Sequence, residues 1–395
     1  MKSHEVVIVA AARTPQGRLN GQLAGLSATE LGSTAIRGAL AMGRISTDVV
    51  DAVIVGHVLQ AGAGQNPAKQ AALGAGLSWD VPATSVNKVC LSGLTAVIDA
   101  SRMIMTGDAE VVVAAGMESM TRAPHLLPGS RGGWKYGGFE ALDHLEFDGL
   151  RDAYDGSSMG LSTENANPRY HVTREEQDAV ALRSHLRAAA AQDAGLLDAE
   201  IVPVEVPSRR GAPEVVTRDE GVRPESTLES LAGLRPAFTA DGTITAGNSS
   251  PISDGASAVI LTTRARAESE GWVVMAVVGH SGQVAGPDNS LQEQPARALE
   301  QACRKQGISP ADLDLIEINE AFASVVVQSQ RRLKVSDDIV NIHGGGIALG
   351  HPLGASGNRL TVHVAHELLR RGTGVAGIAL CGGGAQGEAL ILSAP

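Results

Sequence analysis

Short apolar runs alternate with longer helical patterns along this chain. Six of the runs are rich in β-branched residues, which is typical of buried strands, and they span residues 5–11, 50–56, 109–116, 272–279, 313–319 and 374–380. Three of the helical patterns lie at residues 27–42, 91–106 and 356–371. Strands that alternate with helices predict an α/β fold in which helices cover a largely parallel sheet.

One unit of this pattern occurs twice. A Ser-Gly pair at 92–93 opens a helical segment that ends at Gly107 and is followed by a strand. The Ser-Gly pair at 356–357 and Gly372 repeat this order about 264 residues later. Each helix has the apolar spacing of a single buried face. The repeat predicts a duplicated α/β unit.

The middle of the chain, residues 121–248, has a different character. It is rich in Gly, Pro, Arg and Asp, and its first part indicates a loop or an exposed arm. It also contains one clearly marked helix, because Thr173 and Glu176 match a capping box and Gly195 follows the helical run. We interpret this segment as an insertion into the first half that covers a binding cleft.

Composition narrows the classes of function. With 395 residues and 43% apolar content, the chain can bury a large core in two or three domains. The 32 basic and 43 acidic residues give a formal charge of −11, so no overall attraction to nucleic acid or an anionic membrane is expected. Aromatic residues make up only 3%, which disfavours a platform for stacking bases.

The cysteines and the chain start indicate a cytoplasmic protein. Cys90, Cys303 and Cys381 are widely spaced, and no Cys-x-x-Cys pair suggests zinc or a disulfide framework. The first apolar run is too short for a convincing signal peptide, and we expect no membrane span of about 20 apolar residues. We therefore expect a reducing compartment.

Cys90 lies where an extended segment meets the helix that begins near Leu91. The unpaired N–H groups and dipole of a helix N-terminus can stabilise a thiolate, lowering a thiol pKa from about 8.5 towards 3.5–7.5. Cys90 is thus a candidate nucleophile. The alternative is a buried structural cysteine.

Two further polar residues occupy positions suited to catalysis. His351 stands between Gly350 and Pro352 at the start of the second repeat helix, where it could act as a base for a facing thiol; a turn histidine is the alternative. Asn319 leaves a strand where parallel sheets bind ligands, although it could instead cap a helix. The glycine-rich run before His351 lacks the context of a dinucleotide-binding loop.

The remaining candidates have simpler interpretations. His363, His366 and Glu367 share one helix, but their order does not match a metal-protease motif, so we expect a solvated helix face. Cys303 is expected to be an ordinary helix residue. No metal site is predicted.

Four motifs in order, NKVCLSG, INEAFA, GHPLGASG and CGGGAQG, resemble the thiolase family over essentially the whole chain. The resemblance implies two βαβαβαββ halves in a five-layered α/β/α/β/α core with an inserted loop domain. The implied first half comprises residues 1–120 and 249–273, the loop domain residues 121–248 and the second half residues 274–395. Coenzyme A thioesters would be substrates, and no cofactor is implied.

The same resemblance implies a role for each motif residue. Cys90 matches the nucleophile that is acylated, and His351 matches the group that takes its proton. Cys381 matches the base that acts on the second substrate. Asn319, through a water, and His351 match one oxyanion site, and the N–H groups of Cys90 and Gly383 match another.

Five further positions match substrate contacts of the family. These are Arg223 and Ser230 at the nucleotide of coenzyme A, Ser250 at the pantetheine, and Met159 and Phe322 at the acyl end. An arginine would supply the local positive charge that phosphates require in an acidic protein.

The resemblance also implies an oligomeric assembly, and the sequence departs from the family pattern at two positions. Residues 124–144 resemble the family's tetramerisation arm, so a homotetramer built as a dimer of dimers is expected. Ser158 stands where bacterial biosynthetic relatives usually carry histidine, and Pro251 where they have glycine. Both positions neighbour the pantetheine or the acyl tunnel.

The implied activity is acyl transfer by a ping-pong Claisen condensation of two acetyl-CoA molecules to acetoacetyl-CoA, and its reversal. The alternative is cleavage of longer 3-ketoacyl-CoA chains in fatty-acid or sterol side-chain breakdown. Two remoter alternatives are an inactive lipid-binding relative and a thiol oxidoreductase that uses Cys90 and Cys381.

Overall fold

The computed structural model describes residues 5–208 and 211–395. Residues 1–4 of the implied first half and 209–210 of the implied loop domain lie outside the described residues. The first part of the chain contains β1 (Val6–Arg13), β2 (Gly17–Arg18), α1 (Ala28–Gly43), β3 (Ala52–Gly56), α2 (Pro67–Gly74), β4 (Ala83–Val86), α3 (Ser92–Thr106) and β5 (Val111–Ser119).

The middle of the chain forms small hairpins and helices before it returns to the sheet. Its elements are β6 (His125–Leu126), β7 (Leu142–Asp143), α4 (Met159–Tyr170), α5 (Arg174–Asp193), β8 (Val204–Val206), β9 (Glu214–Val216), α6 (Leu228–Ala232) and β10 (Ser253–Thr263). The predicted capping box is present at the start of α5, where Thr173 and Glu176 bond reciprocally. The predicted helix is confirmed.

The last part of the chain repeats the pattern of the first. Its elements are α7 (Arg264–Glu270), β11 (Ala276–Ala285), α8 (Gln294–Gln306), β12 (Leu315–Ile318), α9 (Ala323–Leu333), α10 (Gly346–Leu349), α11 (Ser356–Arg371), β13 (Val375–Gly382) and β14 (Gln386–Ser393). Gly107 and Gly372 end α3 and α11 in the left-handed conformation, with φ of 79° and 68°. Both predicted repeat helices are confirmed.

The two halves share one topology. In the first half, β3 runs parallel to β4 and β5, and β10 lies antiparallel between β5 and β1. In the second half, β12 runs parallel to β13, and β14 lies antiparallel between β13 and β11. A single bridge from Ile316 to Val340 stands where the first half has β4. The duplicated unit is confirmed. The prediction of a largely parallel sheet was wrong, because β10 and β14 each run antiparallel to both of their neighbours.

The two half-sheets are joined into one. Val7 and Ile8 of β1 pair antiparallel with Val277 and Ala276 of β11. Among the described residues, the strands therefore form a ten-stranded sheet in the order β12-β13-β14-β11-β1-β10-β5-β3-β4, with β2 beside β10.

Helices and strands stack in five layers. Helices α1 and α2 cover the outer face of the first half-sheet, and α8 and α9 cover the outer face of the second. Helices α3 and α11 lie between the half-sheets, and their apolar residues share one core with strands from both halves. The five-layered core is thus confirmed, with continuous strand pairing between its two sheets.

Residues 89–106 are long enough and apolar enough to cross a membrane by length and composition alone, contrary to our expectation for this chain. Most of this segment is α3, which is packed between the half-sheets as the core helix of a globular protein is. Its apolar composition is accounted for by that packing.

Helix α11 carries buried charges rather than the solvated face predicted for His363, His366 and Glu367. The Nδ1 of His363 lies 2.9 Å from a carboxylate oxygen of Glu200, and the Nε2 of His366 lies 2.9 Å from the Ala11 carbonyl oxygen. Glu367 is buried and pairs with two arginines of its own helix. The prediction was wrong because a distant segment supplies the acidic partner of His363.

The loop after His351 fits against glycines of the first half. A Cβ at Gly56, Gly93 or Gly116 would lie only 2.7, 2.7 or 2.4 Å from the Gly354 carbonyl oxygen. These glycines belong to β3, α3 and β5. A side chain at any of these three positions would hold the loop away. The absence of Cβ atoms lets the His351 loop approach the Cys90 helix.

This packing predicts the effect of Gly116→Ala. The added methyl group would overlap a backbone oxygen that cannot rotate away, so we expect the free energy of unfolding to fall by about 1–3 kcal/mol, as for overpacked cores. Thermal unfolding measures the change. The control is Gly25→Ala, because a Cβ there meets only the Val206 side chain at an ordinary contact distance of 3.7 Å and should leave the melting temperature nearly unchanged. Equal melting temperatures for the two variants would contradict this account.

Candidate active site

Cys90 lies in a strained turn between β4 and α3. The preceding residue, Val89, has a φ of 50°, which is a rare conformation for a β-branched side chain. Two side chains of the turn hold it: the Asn87 Oδ1 accepts the Val89 N–H at 3.0 Å, and the Ser92 Oγ accepts the Lys88 N–H at 2.8 Å. Strain of this kind persists where surrounding contacts enforce it, and it is frequent at functional sites.

The Cys90 thiol is protonated at neutral pH. Burial raises its pKa to about 12, although the backbone N–H groups of Gly383 and of Cys90 itself partly offset the rise. The stabilisation of a thiolate by the helix N-terminus is therefore smaller than the cost of removing that thiolate from water. The low pKa that the sequence suggested for Cys90 is not present. The thiol needs a base to become a nucleophile, while the two N–H groups near it remain available for a developing negative charge.

The second thiol, Cys381, stands at the end of β13 and faces the first. It is buried, and burial together with the nearness of Cys90 raises its pKa. The glycines after it allow close packing on the Cys90 turn, because a Cβ at Gly382 would lie 2.7 Å from the Leu91 side chain. Gly383 packs against Val89. The glycine run thus brings backbone N–H groups and a thiol together beside Cys90.

His351 is held in one orientation and one tautomer. Its Nδ1 lies 2.5 Å from the Ser356 Oγ, and that hydroxyl donates its single proton to the Pro352 carbonyl oxygen at 2.8 Å. The Nδ1–H must therefore donate to Ser356, which leaves Nε2 with a free lone pair. Burial, and then the charge of Arg359, lower the pKa of His351 to about 3. The imidazole is neutral and can accept a proton at Nε2.

Asn319 contacts the imidazole of His351. Its amide nitrogen is 3.4 Å from both ring nitrogens, so it faces the ring rather than pointing at one nitrogen. The alternative role as a helix cap is excluded, because Phe322 occupies the N-cap position of α9. Within the described part of the chain, the buried Asn319 Oδ1 has no hydrogen-bond partner. That free acceptor could hold a water beside the histidine.

These groups meet at a cavity of about 300 Å³. Most of its lining is apolar, and the predicted site residues that line it are Cys90, Met159, Ser250, Phe322, His351, Cys381 and Gly383. Phe322 also makes an edge contact with Phe238, at a centroid distance of 6.5 Å. A largely apolar lining strengthens each electrostatic interaction inside the cavity.

Three predicted site residues, all within the described residues, do not line this cavity. Asn319 is one of them, and it reaches the site through its contact with the His351 ring. In the part of the chain that the structure describes, Arg223 and Ser230 do not line this cavity. The Arg223 N–H donates to the His185 Nδ1 at 3.2 Å, and Ser230 completes the capping box of α6 with Thr227. Ser158 and Pro251 do line the cavity, and the Ser158 hydroxyl caps α4 by accepting the Leu161 N–H.

Two groups that hold the site were assigned no role in it from the sequence. One is Ser356, whose position five residues after His351 at a helix start was the available signal. The other is Glu118, a buried carboxylate that accepts N–H groups of Val58 at 3.1 Å and Gly354 at 2.9 Å. Burial raises the pKa of Glu118 to about 7. No local pattern could reveal that its partners come from both halves.

Residues 5–208 and 211–395 contain no candidate metal-binding cluster. No group of three or more His, Cys, Asp or Glu side chains is placed to hold an ion there. The arrangement instead supports covalent acyl chemistry, because it combines a nucleophilic thiol, a neutral base, a second thiol and oriented N–H donors.

Comparison with known families decides the family. Residues 6–265 match the family described as "Thiolase, N-terminal domain", and residues 272–394 match "Thiolase, C-terminal domain". The chain belongs to the thiolase family. The predicted resemblance is therefore confirmed across nearly all of this thiolase, and the two matched regions meet between β10 and β11.

Individual relatives cover this thiolase almost completely. It is 52% identical to a probable acetyl-CoA acetyltransferase of Mycobacterium tuberculosis, over 98% of this chain and 99% of that protein. It is 46% identical to an acetyl-CoA acetyltransferase of Chromobacterium violaceum, over 99% of this chain and 100% of that one. Its structure is similar to that of human mitochondrial 3-ketoacyl-CoA thiolase, with a TM-score of 0.95, 38% identity and full coverage of both chains.

The raised pKa of Cys90 predicts how its alkylation depends on pH. Because the reactive thiolate is scarce below a pKa of about 12, the rate with iodoacetamide should rise about tenfold per pH unit from pH 6 to 9, without a plateau. The measurement uses a variant with Cys303→Ala and Cys381→Ala, so that Cys90 is the remaining cysteine. A plateau with a midpoint below pH 8 would contradict this account, because it would indicate a thiolate stabilised at neutral pH.

Proposed function

We propose that this thiolase is an acetyl-CoA C-acetyltransferase, which joins two acetyl-CoA molecules into acetoacetyl-CoA and free CoA and also catalyses the reverse reaction. The observation that carries the proposal is the pairing of two thiols, Cys90 and Cys381, in one cavity with the neutral base His351. A single thiol would suffice for hydrolysis of a thioester, whereas carbon–carbon bond formation also needs a base at the second substrate. The names of the bacterial relatives support the same activity.

The first half-reaction forms an acyl-enzyme. The Nε2 of His351 takes the Cys90 proton, and the sulfur attacks the thioester carbonyl of the first acetyl-CoA. The N–H groups of Cys90 and Gly383 stabilise the oxyanion of the tetrahedral intermediate. The bond from carbonyl carbon to CoA sulfur then breaks, and His351 returns the proton to the departing CoA thiolate. Acetyl-Cys90 and free CoA result.

The second half-reaction forms the new bond. The Nε2 of His351 first takes the Cys381 proton. The Cys381 thiolate then removes a proton from the methyl group of a second acetyl-CoA, while the Nε2–H of His351 and a water held by Asn319 donate to the enolate oxygen. The enolate carbon attacks the acetyl-Cys90 carbonyl, the bond to the Cys90 sulfur breaks, and the departing Cys90 thiolate takes the proton from the Nε2 of His351. The raised pKa of Cys381 suits this step, because a thioester α-proton is weakly acidic and requires a strong base.

Binding of coenzyme A is proposed to involve the loop domain. We assign Ser250, Met159 and Phe322 to the pantetheine and acyl end because they line the cavity. Arg223 and Ser230 are assigned to the nucleotide from the family resemblance, and both belong to the segment before β10. Coenzyme A thioesters act as substrates in this proposal, and no cofactor is required.

A second candidate is a thiolase that cleaves longer 3-ketoacyl-CoA chains. It is supported by the similarity to the human mitochondrial 3-ketoacyl-CoA thiolase and by the apolar lining of the cavity, which includes Leu150, Ile252 and Leu353. Ser158 contributes a small side chain to the same lining. Both candidates use the same catalytic groups and differ in the acyl chain that the cavity admits.

We further propose a cytoplasmic homotetramer assembled through residues 124–144. In this arm, Trp134 stacks on Phe139 at a centroid distance of 4.5 Å, and Tyr136 is fully exposed. Aromatic side chains exposed together on a hairpin are typical of a contact surface between subunits. The unpaired cysteines fit a reducing compartment.

The two candidates predict different dependence on chain length. Thiolysis by free CoA is measured for a series of 3-ketoacyl-CoA substrates, from acetoacetyl-CoA to long chains. For an acetyltransferase we expect kcat/KM to fall by at least about tenfold beyond the four-carbon substrate, because a longer chain must displace lining side chains. A flat or rising profile would favour the second candidate. Absence of turnover with every member would overturn both.

A further inference from the structure

The buried carboxylate of Glu388 connects the two halves beside the active site. Glu388 lies on β14 and has no exposed surface. Its Oε1 accepts a bond from the Lys88 Nζ at 2.9 Å, and its Oε2 accepts one from the Thr95 hydroxyl at 2.7 Å. The Gln283 amide also donates to Oε1. A single carboxylate from the second half thus holds two side chains of the first.

Those two side chains flank the Cys90 turn. Lys88 precedes Cys90 by two residues, and Thr95 follows it by five, in the first turn of α3. Between them lies Val89, whose positive φ is unfavourable for valine and must be enforced by its surroundings. Anchors on both sides of a strained turn restrict the positions that its backbone can take.

The same strand pair carries the other half of the site. In the antiparallel pairing of β13 with β14, Leu380 is opposite Glu388 and Cys381 is opposite Gly387. Glu388 is therefore one residue from the partner of Cys381. A shift of β14 relative to the Cys90 turn would move Cys381 and Gly383 relative to Cys90.

We propose that Glu388 is a positioning residue, which sets the separation between the Cys90 turn and the β13–β14 turn so that the N–H groups of Cys90 and Gly383 converge on one oxyanion. The inference rests on the proposed function, because it concerns the acylation of Cys90. Among the described residues that line the cavity, Glu388 is not present, so it acts through Lys88 and Thr95 rather than on substrate.

Acylation and alkylation of Cys90 respond differently to such a displacement. Attack on acetyl-CoA forms a tetrahedral oxyanion, which needs both N–H groups. Attack on iodoacetamide displaces iodide from a saturated carbon and forms no oxyanion. Loss of positioning should therefore slow acylation, while alkylation stays close to the wild-type rate.

The first variant is Glu388→Gln, which keeps the shape and an acceptor for Thr95 but removes the charge that binds Lys88. We expect the single-turnover rate of CoA release from acetyl-CoA to fall about 100-fold, the loss typical of reacting groups misplaced by about 1 Å. The alkylation rate should change less than about threefold, because alkylation forms no oxyanion and does not need the two N–H groups in place. The ratio of the two rates is a readout that general loss of folded protein would not change.

Asp314→Asn is the matched control. The Asp314 carboxylate accepts the Val375 N–H at 2.8 Å and so anchors the opposite end of β13, away from Cys381. Its substitution should leave the ratio of acylation to alkylation at the wild-type value. A changed ratio in this control would mean that any disturbance of β13 affects acylation, and would overturn the specific role of Glu388.

A second variant keeps the test decisive if Glu388→Gln does not fold. Thr95→Val removes one anchor and leaves the pair of Lys88 and Glu388 in place. We expect the acylation rate to fall about tenfold, which corresponds to the loss of one hydrogen bond. A wild-type ratio in folded Glu388→Gln, or in Thr95→Val when the first variant is unfolded, overturns the inference while the proposed function stands. Absence of acylation in the wild-type protein would instead overturn the proposed function, and the inference with it.

Discussion

The active site depends on a close contact between backbone and backbone in the centre of the molecule. The carbonyl of Gly354 occupies space that is free because Gly56, Gly93 and Gly116 have no side chains. This contact brings the His351 loop of the second half against the helix that begins after Cys90 in the first. Duplication of an α/β unit explains how the two helices come to lie side by side, but the small residues decide how near they approach. The catalytic groups therefore meet at the interface between two copies of one fold.

Burial determines the chemistry of that interface. Loss of water raises the pKa of both thiols and lowers that of His351, so the resting site holds neutral groups. Negative charge develops only during reaction, where backbone N–H groups and the Asn319 amide are already oriented. The charged side chains that hold this arrangement, such as Lys88 with Glu388, stand behind the cavity wall rather than in it. Oriented dipoles can stabilise a transient charge without binding a permanent one.

Capping residues and terminal glycines in the sequence predicted the helices that they begin and end. The capped helix after Thr173 and the glycine-ended repeat helices are present. Cys90, His351 and Cys381 line one cavity, and Asn319 contacts the His351 ring. Strands β10 and β14 were not predicted, because they are buried on both faces, lack alternation and contain many small residues. The burial of His363 and the raised pKa of Cys90 depend on neighbours from distant segments, which no local pattern contains. The assignments of Arg223 and Ser230 stay predictions, since they concern a ligand.

The central claim is that Cys90 carries the acyl group and Cys381 acts only on the second substrate. The most direct test incubates the Cys381→Ala variant with isotope-labelled acetyl-CoA and locates the label by peptide mass spectrometry. The account predicts that label accumulates on Cys90, because acylation proceeds while condensation is blocked. Label on another residue, no label on a folded variant, or normal formation of acetoacetyl-CoA would contradict it.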